Sequence, residues 1–148
     1  YEIGQGYLNK KDYESAIKYF KQAAELNPEV GLSYLYWGIV EITRGNPDKG
    51  LRVINMALDR GYAPSESDYL NLAQQYVARK DYQALADIYE RLVKLNPKNS
   101  EYYTSLAVAY ANLGRVDDAL AMARKAVTID PSLLPSAQEF ARELGREL

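Results

Sequence analysis

Apolar residues return every three or four positions along most of this chain, and short polar turns separate the blocks. From Asp12 onward, Ala16, Phe20, Ala23 and Ala24 share one side of the segment. That spacing predicts an amphipathic helix, because 3.6 residues per turn bring i, i+3 and i+4 together. Asp12 offers an N-cap oxygen to the first-turn amides. Asn27-Pro28 closes the helix, since proline pushes the residue before it out of the α region. A second helix is predicted over roughly 32–44, with Tyr34, Trp37, Gly38 and Glu41 on one face. It stops at Gly45-Asn46, and Pro47 suits the first turn of the helix that follows. The same alternation predicts helices near 66–79, 82–95, 100–113 and 116–129. No segment alternates with period two, so no sheet is expected.

The blocks are copies of one another. Asn27-Pro28, Asn96-Pro97 and Asp130-Pro131 fall 69 and 34 residues apart, and Tyr7, Tyr76 and Tyr110 repeat both intervals. Gly4 to Gly38, Ala16 to Gly50 and Tyr69 to Tyr103 are each 34. The step from Tyr34 to Tyr69 is 35, which places one extra residue in the loop Gly61-Tyr62-Ala63-Pro64-Ser65. A fixed period of this length is the mark of a helical repeat.

These residues resemble the tetratricopeptide repeat. Tyr103, Leu106, Ala107, Tyr110, Ala119, Ala123, Ala126 and Pro131 match its spacing throughout, with Ala107 for its glycine and Ala123 for its aromatic. Ile3, Gly4, Tyr7, Ala16, Phe20, Ala23 and Pro28 match it again. The resemblance implies an all-α, right-handed α-solenoid of antiparallel helix pairs. The expected layout is a single domain over 1–148, with repeats at approximately 1–30, 31–65, 66–99 and 100–132. Residues 133–147 carry an apolar stripe at Ala137, Phe140, Ala141 and Leu144, which suits a capping helix with one wet face. Glu41 stands where the family has a large aromatic and is expected to pair with Arg44 one turn on. Leu85 and Leu92 replace small residues of the third repeat, so looser packing is expected there. The first repeat starts inside its first helix, and a piece of a longer protein is expected.

Composition narrows the function. The chain has no cysteine and no histidine, which removes disulfides, thiolate nucleophiles and the commonest general base and metal ligand. Gly4-Gln5-Gly6 lacks the strand and third glycine of a phosphate loop. Asp117-Asp118 lies in a helix's first turn, where acids offset the dipole. No enzyme, metal or cofactor is expected. A formal charge of −2 and a groove without a basic stripe argue against a nucleic-acid partner. No apolar run approaches the length of a membrane span, so no direct membrane insertion is expected. A chain without cysteine suits cytoplasm and periplasm equally. The Lys- and Tyr-rich repeats with Asn-Pro junctions also look similar to the soluble tails of bacterial O-antigen ligase-like membrane proteins.

The family's first helices line a concave groove that takes a peptide. Carried over position by position, that groove comprises Leu35, Tyr36 and Ile39 from the second repeat, with Asn71 and Gln74 from the third. The fourth contributes Thr104, Ser105, Val108 and Asn112. Lys and Arg are missing from these positions, and Asn71, Gln74 and Asn112 can each donate and accept. The function expected is a non-catalytic scaffold binding a low-charge peptide or helix, with Tyr36 as the apolar anchor. The alternative is a structural module that packs against its parent chain, or self-associates through the uncapped N-terminal end.

Overall fold

The structure, a computed structural model, describes residues 1–27 and 31–148. Among them the chain is all-α, built as consecutive helix pairs. α1 (Glu2–Asn9) pairs with α2 (Tyr13–Leu26), and α3 (Gly31–Thr43) with α4 (Pro47–Asp59). α5 (Glu66–Arg79) pairs with α6 (Tyr82–Leu95), and α7 (Ser100–Asn112) with α8 (Val116–Ile129). A 3-10 turn at Pro131–Leu133 leads into α9 (Leu134–Glu143). The predicted helices and the terminal one are therefore present; Pro28, expected to close α2, lies outside the described residues.

Local chemistry sets the boundaries. The Asp12 carboxylate accepts from the Ser15 amide at 3.2 Å, and Asp81, two copies along, accepts from Ala84 at 3.1 Å. Asn99 caps α7 through the Glu101 amide at 3.0 Å. The turn inside every pair needs one residue in the left-handed region, and the repeat fills it with Lys11, Gly45, Lys80 and Gly114. Glycine adopts that conformation freely; lysine does so at a cost.

The chain forms two compact units, Tyr1–Ser65 and Glu66–Leu148, and the extra loop residue falls just before the boundary in sequence. In the first, Ala16, Ile17, Phe20 and Val40 form a core with Tyr7, Leu8, Tyr13, Tyr36 and Trp37 packed around it. α3 and α4 cross closely because the second repeat puts glycine on both. A Cβ on Gly38 would stand 2.6 Å from the Gly50 carbonyl oxygen. Small residues thus set the helix separation, and large ones fill what is left. In the second unit, Tyr76, Leu92, Leu106 and Ala119 are interior, and Ala107, Ala123 and Ala137 join α7, α8 and α9. Leu85 and Leu92, expected to loosen the third repeat, are both buried.

Candidate peptide-contact faces

α3 is apolar almost all round, and nine of its residues are buried. Leu35 is 1% exposed and Ile39 7%, so two of the three groove residues carried over to this helix are interior. Tyr36 is half-buried. Its ring lies 5.8 Å from Phe20 and 5.4 Å from Tyr1, centre to centre. A repeat register assigns a face, but it does not say whether that face is left open. Here the rings of Tyr1, just before α1, and of Phe20 on α2 cover part of it.

The same helix buries a charge. Glu41 is fully enclosed, and four donors converge on its carboxylate. Lys49 Nζ lies at 2.7 Å, Arg44 Nε at 2.9 Å, Asn46 Nδ2 at 3.1 Å and Trp37 Nε1 at 3.2 Å. Burial opposes ionisation, but the Lys49, Asn46 and Trp37 hydrogen bonds and the Arg44 charge outweigh it. The carboxyl is held down at about 2. Arg44 also reaches Glu14 on α2, so one carboxylate ties the α3–α4 turn to the neighbouring pair. The expected Glu41–Arg44 pair is part of this larger clasp. Asn46 and Lys49 lay within eight residues in sequence, but only the chain reversal at Gly45 brings them round.

In the second unit, carboxylates anchor tyrosines. The Tyr102 hydroxyl donates to Glu66, the first residue of α5, and Asn96 donates to the same carboxylate at 3.4 Å. The Tyr110 hydroxyl donates to Glu90 at 2.6 Å, and the Arg115 guanidinium lies 4.1 Å from the centre of its ring. Burial, then the hydrogen bond and charge of Glu66 or Glu90, push both phenols up to about 12. Tyr102 therefore holds the starts of α5 and α7 together. The sequence carried no signal for these carboxylate partners, which lie 20 and 36 residues away.

The remaining groove positions are more open. On α5, Asn71 and Gln74 are exposed. On α7, Val108 is 48% exposed and Asn112 is exposed, while Thr104 and Ser105 are half-buried. Thr104 Oγ1 donates to the Glu101 carbonyl at 2.8 Å, and Asn112 Nδ2 donates to the Val108 carbonyl at 2.9 Å. Each keeps an oxygen free to accept from outside. Beside this strip, Thr104 and Val108 border an apolar cavity of about 150 Å³ between α7, α8 and α9. Ala107, Ala123, Ala126 and Ala137 form its buried lining, and Leu133, Ser136 and Phe140 complete it. Among the described residues, no group of three or more acidic, His or Cys side chains is placed to hold a metal ion. No helix among them is long and apolar enough to cross a membrane.

Comparison with known proteins points one way. Models of the tetratricopeptide repeat match residues 1–30 and 70–133, together more than half of the chain. Small glutamine-rich tetratricopeptide repeat-containing protein 2 of Saccharomyces cerevisiae is 31% identical over 80 residues, 53% of this chain and 23% of that protein. DnaJ homolog subfamily C member 7 of Homo sapiens is 36% identical over 59 residues, 40% of this chain and 12% of its own. The chain thus spans less than a quarter of the length of these curated relatives. A solved structure of MamA from Desulfovibrio magneticus RS-1 superposes with a TM-score of 0.68 at 21% identity. It covers 95% of this chain and 78% of its own, a likeness of fold.

Proposed function

We propose that this chain, which belongs to the tetratricopeptide-repeat family, is a non-catalytic interaction module that holds an uncharged stretch of a partner peptide on α5 and α7. The observation that carries this reading is the strip Asn71, Gln74, Thr104, Ser105, Val108 and Asn112. It occupies matching register positions on two helices whose starts are tied by Tyr102 and Glu66. Amide side chains that donate and accept suit the backbone of an extended peptide. The strip has no cation to select acidic ligands. Tyr36 belongs to the proposal only through its exposed edge, because most of its ring already packs on Phe20 and Tyr1.

A second reading, packing against a parent chain or a second copy, is supported by the exposure of Tyr1 and Ile3 on the first unit. A parent with a membrane portion, in the style of the O-antigen ligase-like proteins, is the finer form of that reading. Selection of displayed peptides against the chain separates the two. The interaction reading expects enriched peptides of low net charge whose binding is lost in an Asn71→Asp, Gln74→Glu double variant. Enrichment of acidic peptides, or binding unaffected by the double variant, overturns it. Gel filtration tests the second reading: self-association abolished by Ile3→Glu supports it.

A further inference from the structure

The four repeats do not fill the space between their paired helices equally. One register position on each second helix matches a small residue in register on the first. The pairs are Phe20 with Gly4, Ile54 with Gly38, Tyr89 with Ala73, and Ala123 with Ala107. In the first repeat the Phe20 ring lies directly over Gly4, so that a Cβ there would be 2.8 Å from the ring. In the second, Ile54 occupies the same place, 2.5 Å from where a Gly38 Cβ would be. The fourth repeat alone has a methyl where the others have a ring or a branched chain. The cavity of about 150 Å³ opens beside that methyl, with Ala107 and Ala123 both in its wall.

We propose that this cavity is a side-chain pocket that takes one phenylalanine ring from the partner peptide. The proposal deepens the interaction reading above and rests on it. Size sets the first limit, because a cavity of roughly 150 Å³ is one that accepts benzene. Charge sets the second: no ionisable residue lines the pocket, so its complement is neutral and apolar. Its buried lining of alanines offers an ordered water few partners, whereas such a site needs about two to four. Position sets the third. Val108 is exposed at one side of the pocket and also belongs to the peptide strip, so a peptide lying on α7 brings a side chain within reach of it. Phe140 makes α9 part of the binding surface as well as the end of the stack.

The test uses the whole chain labelled at its alanine methyls, with three probes followed by NMR. These are toluene, acetyl-Gly-Phe-Gly-amide and acetyl-Gly-Ala-Gly-amide. The phenylalanyl peptide and toluene are expected to shift the methyls of Ala107, Ala123, Ala126 and Ala137, with the alanyl peptide weaker by about tenfold or more. Ala123→Phe supplies the missing ring from within and is expected to abolish both responses. Should that variant fail to fold, Ala123→Leu fills the same space with less bulk. Equal response to the two peptides overturns the proposal, as does binding of toluene without the phenylalanyl peptide, or binding that survives the filled pocket. The peptide-strip reading has its own readout in the Asn71→Asp, Gln74→Glu variant, which leaves the pocket and its toluene response intact.

Discussion

The first unit spends its repeat pattern on enclosure, and the second leaves part of the same pattern open. In Tyr1–Ser65, α3 is covered on nearly every side, glycines bring α4 against it, and a buried carboxylate gathers four donors. In Glu66–Leu148, α5 and α7 keep an uncharged face, and alanines leave a cavity beside it. One 34-residue pattern therefore yields two outcomes, decided by side-chain size at a few positions. The unit with the fuller interior is the poorer candidate for recognition, because its apolar groove residues are used up inside.

The sharpest test of that contrast exchanges the filling. Phe20→Ala removes a fully buried ring and is expected to cost about 3–5 kcal/mol in chemical denaturation. The converse change, Ala123→Phe, is expected to be close to neutral, or stabilising, because a cavity receives the ring. Equal losses from both would mean that the two interiors are packed alike.

Acid should separate the units next. Glu41 has its folded pKa lowered to about 2 from an ordinary 4.5. Its contribution is thus complete above about pH 4.5 and fades as pH falls toward 2, by at most about 3 kcal/mol. Hydrogen exchange followed from pH 5 to 3 should show protection falling first in α3 and α4, and Glu41→Gln should flatten that dependence. A loss that begins in α7 and α8 would break the assignment.

Base should reverse the order. Tyr102 and Tyr110 have phenols raised to about 12, so their contribution is complete below about pH 10 and is lost as pH rises through 12. Tyr110→Phe is expected to cost about 1–2 kcal/mol at neutral pH by removing a hydrogen bond to a carboxylate. The variant's stability should also fall less steeply than the parent's between pH 10 and 12. No change in either would mean that Glu90 is satisfied by water alone.

The smallest effect concerns the turns. Lys80 and Gly114 hold equivalent left-handed positions, so Lys80→Gly is expected to raise stability by up to about 1 kcal/mol in a denaturant melt. A loss would show that the Lys80 side chain contributes more than its backbone strain costs.

These particulars also mark what was legible in the chain. Asp12 as a cap and the glycines and prolines at turns marked the helix ends, because each acts over one turn of backbone, and the 34-residue return marked the pairs. The exposed Asn71, Gln74 and Val108 followed from the repeat register. The enclosure of Leu35 and Ile39 did not, since register gives the direction of a side chain and not what packs over it. The partners of Tyr102 and Tyr110, and the donors beyond Arg44 around Glu41, depend on chain reversals that bring distant polar groups together. Ala123 was visible as a departure from the pattern; that it leaves a cavity required the positions of α7, α8 and α9.

We propose above that recognition belongs to the uncharged faces of α5 and α7. It is tested most directly by NMR of the chain with a displayed-peptide binder, titrated at low and high salt. Shifts are expected at the side-chain amides of Asn71 and Gln74 and the methyls of Val108, with affinity changing less than about twofold between the two conditions. Shifts confined to the first unit, or binding that collapses as salt rises, would contradict it.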